Sequence, residues 1–382
     1  PWAGTVLAVH LVRFLSVILS TLTLLFTYLI GREVFPDKPW LGLAAAGVVA
    51  FTPMFAFISG AVNNDNLGVL LSATGLWIML RTARQAEQKR STLRWAIALG
   101  AVLGLSALTK ASGMGQFALA GFTMAYAAYR ARRWQTFFVE GPLILLIAAA
   151  IAGWWYYRNW VLYGDPMGLN AFIAILGQRS RPASPAQLWT ERAGFMQSYW
   201  GLFGGVNVPM PGWVYGALNS LAVFSVFGAA LLLWRRWRQY GPNPEGWFRA
   251  GLSLIWIAAV VLPLITYWAR ITWSSQGRLV FSAIMSISLW FIAGLAGWLP
   301  ERAGRLVAGT VVTFLAVVTV LAPFLWIAPR YRFPEPVAAV SGDTPVDFTP
   351  PGAAGPTMRL VETRVATPNV TPGGSVEVSL TW

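Results

Sequence analysis

Apolar residues run through this chain in blocks of about 20, the length an α-helix needs to cross a hydrocarbon core of roughly 30 Å. Polar residues gather in the gaps between the blocks. Ten blocks can be drawn, at roughly 11–30, 40–60, 65–82, 93–109, 113–129, 137–157, 214–234, 247–268, 279–298 and 305–327. Inside a bilayer a segment must satisfy its own backbone N–H and C=O groups, so such blocks are helices. The pattern predicts an all-α polytopic membrane protein of about ten spans. One gap differs from the others: Val62-Asn63-Asn64-Asp65-Asn66-Leu67 places three carboxamides and a carboxylate between apolar runs at 40–61 and 68–80. Polar side chains at membrane depth are costly and tend to be kept for contacts with ions, substrates or partners.

Two regions break the pattern. Residues 158–213 hold no complete span. Within them 186–200 is amphipathic, with Leu188, Trp189, Phe195, Met196, Tyr199 and Trp200 near helical spacing opposite Gln187, Glu191 and Gln197. Such a helix lies in the plane of the interface, and the Gly- and Pro-rich stretch 201–213 after it is a shaped loop. From Pro329 the composition changes again. Pro334, Pro336, Pro345, Pro350, Pro351 and Pro356 mark a linker over 329–356. Then 358–365 and 375–382 alternate as strands, with Pro372-Gly373-Gly374 as a turn, and resemble the start of an outer β-sandwich. Asn369-Val370-Thr371 matches a glycosylation sequon. The expected organisation is a transmembrane domain over 1–328, the linker, and an incomplete β domain over 357–382. The chain opens without methionine and closes inside a strand-like run, so the pattern is expected to continue beyond both ends.

Composition agrees and narrows the chemistry. Of 382 residues 56% are hydrophobic and 11% charged, against about 25% charged in a soluble domain. There is no cysteine and one histidine, His10; thiolate sites, disulfides and multi-histidine metal centres are excluded. The net charge of +14 reports topology before any acidic partner, and nucleic acid is not expected. Alternate short connections collect Arg32 and Lys38; Arg81, Arg84, Lys89, Arg90 and Arg94; Arg130, Arg132 and Arg133; Arg235, Arg236, Arg238 and Arg249; Arg302 and Arg305, more than half of the 28 basic residues. By the positive-inside rule that side is cytoplasmic. Residues 158–213 and 328–382 then lie outside.

With sidedness set, the candidate residues fall on one face. Asn63, Asn64 and Asp65 occupy one outer turn, and Lys110 a second within Leu108-Thr109-Lys110-Ala111-Ser112-Gly113. Arg158 and Asp165 follow Trp154-Trp155-Tyr156-Tyr157, and Arg270, Gln276 and Arg278 flank the turn 271–277. Each has a plainer reading: Lys110 or Arg278 snorkelling to headgroups, Asp65 capping the next helix, Asp165 before Pro166 forming a turn. Convergence of these charges on the side that should be depleted of them points instead to contacts with an ion, a substrate or a partner.

Five motifs resemble a known family. They are Arg13-Phe14-Leu15-Ser16 opening a helix that closes at Gly31-Arg32, Pro53 followed by Asn63-Asn64-Asp65, Leu108-Thr109-Lys110, the run 154–165, and Gln276-Gly277-Arg278-Leu279. In order and sidedness they resemble the GT-C superfamily of polyprenyl-phosphate-sugar-dependent glycosyltransferases, nearest the bacterial relatives of the protein O-mannosyltransferases of glycosyltransferase family 39. The resemblance implies an inverting membrane enzyme moving sugar from a polyprenyl-phosphate donor, drawn from the membrane lipid, to an acceptor at the outer face. It makes Lys110, Arg270 and Arg278 phosphate contacts, and Asn63, Asn64, Arg158, Asp165 and Gln276 lining residues. Asp65 would be a supporting carboxylate and a possible ligand for a divalent metal. The family's general base lies in the first outer loop, expected before Pro1, with His10 a weak substitute. A transporter or lipid flippase, or a non-catalytic platform for the β domain, are the competing readings; polar sites at the outer ends rather than the midplane argue against the transporter.

Overall fold

The computed structural model describes residues 4–241, 243–272 and 274–332, and in the C-terminal part four short strands only. It divides into two compact units, Pro1–Ile327 and Ala328–Trp382. The first is helical: α1 Gly4–Val34, α2 Pro39–Ala50, α3 Pro53–Ser59, α4 Asp65–Glu87, α5 Leu93–Thr109, α6 Gly115–Ala131, α7 Trp134–Tyr163, α8 Leu169–Leu176, α9 Pro185–Trp200, α10 Gly212–Tyr240, α11 Pro244–Arg270, α12 Ile284–Gly297 and α13 Glu301–Ala322. Two 3-10 turns, Ala111–Met114 and Gly277–Ala283, lead into α6 and α12.

Each of the ten apolar blocks is helical over most of its length. Among the described residues six helices are by themselves long and apolar enough to cross a membrane: α1, α7, α10, α11, the 277–297 helix, and the helix beginning at Glu301. A seventh span is formed if α2 and α3 count together. They bend by 66° where Pro53 interrupts the ladder, because proline has no N–H and holds the preceding residue out of the α region. Thr52 accordingly sits at φ −70°, ψ 114°. Of the other three, α5 and α6 have 17 residues each, and α4 carries Asp65, Arg81, Arg84 and Glu87. Ten crossings therefore exceed what length and apolarity establish.

The 277–297 helix is the hub, with 83% of its apolar window buried, whereas the figure for α7 and α10 is 17%. The outer helices turn Phe138, Leu145, Leu146, Val226 and Phe227 outward, the surface expected to meet lipid tails. Small residues let the backbones meet. A Cβ on Gly31 of α1 would overlap Gly42 of α2, and one on Gly228 of α10 would overlap the Gly294 carbonyl of α12. Beside that crossing Ser225 Oγ donates to the carbonyls of Trp290 (3.2 Å) and Phe291 (2.8 Å).

One end of this unit carries the ends of α1, α4, α6, α10 and α12 with the starts of α2, α5, α7, α11 and α13; it is the basic end. Glu33, buried, receives Arg81 at 3.0 Å and Arg84 at 3.1 Å. Glu87 receives Arg249 at 3.3 Å and the Tyr126 hydroxyl at 2.9 Å. Arg130 pairs with Glu245, and Arg236 with Asp37 at 3.4 Å. The opposite end holds the candidate residues.

In the second unit Val346–Phe348 pairs antiparallel with Met358–Leu360, and Glu362–Val365 with Val378–Thr381. The run expected as one strand over 358–365 is thus two strands with different partners, and one partner lies within the stretch expected as linker. These are two-stranded pairs; a sandwich is not established by them. The sequon at 369–371 and most of the proline-rich stretch lie outside the described residues.

Candidate active site

The site end is built around the corner between α3 and α4. A helix C-terminus leaves carbonyls unsatisfied and a helix N-terminus leaves N–H groups unsatisfied, and the amide run supplies both needs. Asn63 Nδ2 donates to Ile58 O (3.1 Å), while its Oδ1 accepts from the Asn66 N–H (3.2 Å) in the first turn of α4. Asn66, buried, donates to the carbonyls of Ile58 (3.1 Å) and Ala61 (3.4 Å), and accepts from Ser20 Oγ of α1 (3.4 Å). Asn64 Nδ2 reaches across to Thr109 O at 3.1 Å. Asn64 occupies the N-cap position of α4, and the side chain that accepts from a first-turn N–H is that of Asn63, which leaves Asp65 for another role.

Asp65 is the first residue of α4, where the helix dipole favours negative charge. Its Oδ1 accepts from Lys110 Nζ at 2.6 Å, with the side chains 19% and 26% exposed. Lys110 sits in extended backbone between α5 and the Ala111–Met114 turn, which aims its long side chain across to α4. A charge-assisted bond of this kind is roughly twice as strong as a neutral one. With Asn64–Thr109 beside it, two turns 45 residues apart are locked together.

The same turn reaches the hub helix through Ser112 Oγ and Ser282 Oγ, 3.1 Å apart. That brings in the Gly277–Ala283 turn, whose second residue is Arg278. Arg278 Nε donates to Gln276 Oε1 at 3.0 Å, and the guanidinium meets no carboxylate among the described residues. Gly277 has the amphipathic helix directly above it: its N–H donates to Ser198 Oγ at 2.7 Å, and a Cβ there would overlap Phe195 O and Tyr199. The helix expected over 186–200 is α9, started by Ser184, whose hydroxyl accepts from Gln187 N. Burial pushes the Tyr199 phenol far above its ordinary value, so it stays neutral.

A cluster that the sequence pattern did not mark holds α9 in place. Arg179 Nη2 donates to both Glu191 oxygens (2.9 and 2.8 Å), and Trp268 Nε1 donates to the same carboxylate at 2.7 Å. Phe195 stacks on Trp268 with ring centres 5.4 Å apart and planes 7° from parallel. The segment before α9 runs along the end of α11: Arg179 N donates to Arg270 O (2.9 Å) and Ala183 N to Ala269 O (2.7 Å). Glu191 was legible as one of the polar residues of an amphipathic helix; Arg179 carried no signal, since its partners lie 12 and 92 residues away.

The remaining candidates are placed differently. The Arg270 side chain is exposed at the end of α11. Arg158 is on α7, which extends past the expected end to Tyr163, and lies 5.1 Å from the Trp155 ring centre. Asp165 accepts from the N–H groups of Met167 (3.0 Å) and Asn170 (3.1 Å), which hold its carboxyl below the usual range. Both are engaged locally, and neither bonds to Asp65 or Lys110. His10 lies on the exposed face of α1 with Nδ1 2.8 Å from Val6 O.

The residues do not fit a tightly held divalent metal. Hard cations take six or more oxygen ligands, yet no group of three or more acidic or histidine side chains is found among the described residues. Asp65 itself is committed to Lys110. What the end does offer is cations: with Asp65 and Glu191 each engaged by a base, Arg13, Arg158, Arg270 and Arg278 face no carboxylate among the described residues.

A family model for dolichyl-phosphate-mannose-protein mannosyltransferase matches residues 8–157. That match takes in Asn63, Asn64, Asp65 and Lys110 but stops before Arg270 and Arg278. The chain is also 26% identical to an undecaprenyl phosphate-alpha-4-amino-4-deoxy-L-arabinose arabinosyl transferase of Pseudomonas paraeruginosa, over 76% of this chain and 58% of that protein. The chain thus spans a little over half the length of that relative. Both matches agree with the resemblance, read from the motifs, to the membrane glycosyltransferases of the GT-C superfamily.

Proposed function

We propose that the protein transfers a sugar from a polyprenyl-phosphate-linked donor to an acceptor at the outer face of the membrane. The observation that carries the reading is the Asp65–Lys110 pair, locked between two turns next to an arginine-bearing turn with no carboxylate of its own. Lys110, Arg278 and Arg270 hold the donor phosphate. Arginine and lysine suit that task because they present several donors to phosphate oxygens and stabilise the charge that develops on the leaving phosphate. Asp65 keeps the Lys110 ammonium in position and orients the acceptor hydroxyl. The general base is not assigned to any residue described here. The α9 helix, flat in the interface, borders the entry for the lipid tail. In this reading the ten helical stretches cross the membrane with the basic end cytoplasmic, and 158–213 lies outside. Support for the donor class comes from the matched family and from the relative, whose name specifies an undecaprenyl phosphate sugar.

The test is transfer from a radiolabelled polyprenyl-phosphate sugar by full-length protein in liposomes. Arg278→Ala and Asp65→Asn are expected to lose transfer while expression and melting temperature hold. Wild-type rates in both variants would overturn the proposal.

A further inference from the structure

A cavity of about 200 Å³ near the basic end lies at the opposite end of the helices from Asp65, Lys110 and Arg278 and has no part in the proposed transfer. Its floor is apolar: Val34, Phe35, Ala250 and Trp290 are all buried. Its rim carries two guanidiniums, Arg236 of α10 and Arg249 of α11, and one carboxylate, Asp37. Arg236 lies over the Phe35 ring, 4.8 Å from its centre, which fixes the cation above the apolar floor. Its contact with Asp37 is long, 3.4 Å, and the Asp37 side chain is 68% exposed, so water already competes for that carboxylate. Arg249 is 13% exposed and pairs with Glu87 at 3.3 Å; its Nε is buried with no hydrogen-bond partner among the described residues. Buried donors are nearly always satisfied, so Arg249 has donor capacity to spare.

We propose that this cavity binds the headgroup of an anionic phospholipid. The phosphate sits between Arg236 and Arg249, displacing the Asp37 carboxylate, and the first methylenes of the acyl chain lie on Phe35 and Trp290. Paired guanidiniums match phosphate oxygens in geometry as well as charge. An apolar floor under them selects an amphipathic ligand over a free ion. Basic pockets between transmembrane helices are a known physical route to such recognition. The inference stands independently of the sugar-transfer reading.

Full-length protein in detergent, examined by native mass spectrometry with dioleoylphosphatidylglycerol and dioleoylphosphatidylcholine, tests it. The anionic lipid is expected to be retained in preference, with about tenfold weaker retention in Arg236→Gln. Arg302→Gln, at the same end and outside the cavity, is expected to match the wild type. Asp37→Asn, which removes the competing carboxylate, is expected to tighten retention and reads the site even if Arg236→Gln fails to fold. Equal retention of the two lipids overturns the proposal, as does an equal loss in Arg302→Gln or no change in Asp37→Asn. Displacement of the lipid by inorganic phosphate alone overturns it in favour of a free-phosphate site.

Discussion

At the basic end Arg81 and Arg84 close on Glu33, Arg249 on Glu87 and Arg130 on Glu245, while at the site end Arg13, Arg158, Arg270 and Arg278 meet no carboxylate among the described residues. The same residue type serves opposite ends in two ways. At the basic end these four arginines are each matched by an acid on another helix, while Arg32, Arg94, Arg235 and Arg302 at the same end meet no carboxylate among the described residues, so the contrast is one of helix-tying pairs present at one end. Of the arginines without a carboxylate at the site end, Arg270 and Arg278 sit at a helix end and a turn, Arg158 lies in the last turns of α7, and Arg13 lies within α1 and donates to the Gly60 carbonyl. Under the proposed function Arg270 and Arg278 are placed for the donor phosphate. Glu191 shows the rule from the other side. The one acid of α9 is used up by Arg179 and Trp268 in anchoring the helix, and it leaves Arg278 nearby unneutralised.

The contrast can be broken by substitution. The largest effect is expected for Arg278→Ala and Lys110→Ala: a loss of about 10² to 10³ in transfer rate, as for removal of one preorganised charge stabiliser, read with radiolabelled donor, while Arg302→Ala stays within about twofold. Equal loss at both ends would show that arginine content and not placement matters. Next is stability. Arg249→Ala is expected to cost about 3 kcal/mol by stranding Glu87 at the basic end, and the double variant Arg249→Gln, Glu87→Gln to recover much of that in the melting temperature. Arg179→Ala is expected to free α9: faster amide exchange over 185–200 and a raised KM for the lipid donor, with α4 unaffected.

The smallest effect is electrostatic. Backbone N–H groups hold the Asp165 carboxyl below its usual value, so its contribution is present above the unfolded value of about 3.9 and is lost as pH falls through the lower folded one. Amide exchange over 167–172 is expected to rise in that acid window in the wild type. In Asp165→Asn, exchange relative to the intrinsic rate, the quantity to compare in both proteins, should be independent of pH there.

How far the sequence could be read depended on the range of the interaction. Helical blocks are set by local hydropathy and by the backbone's need for partners in lipid, so each expected stretch proved helical, and α9 begins at Pro185, beside the expected start. The Pro53 bend is local too, yet the apolar pattern runs straight through it at 40–60, so it was not foreseen. The polar run 63–66 was legible as exceptional but not in its division of labour. Which amide satisfies a carbonyl, and which side chain is free for a substrate, depends on the carbonyls of Ile58 and Thr109, and these are presented by other helices.

The sequence by itself determined a helical membrane protein, the turns that carry its candidate residues, and the motifs that resemble those of the GT-C enzymes. Those follow from spacing and composition, which act over a few residues. Only the tertiary structure decided that Asp65 holds Lys110, that Asn63 and not Asp65 accepts from the first turn of α4, and that Arg179 with Glu191 anchors α9. Two of these are pairings across 45 and 12 residues of chain, and the third, though only three residues long, leaves Asp65 free for a partner on another turn. They are set by which helix ends come together, and the order of residues does not record that.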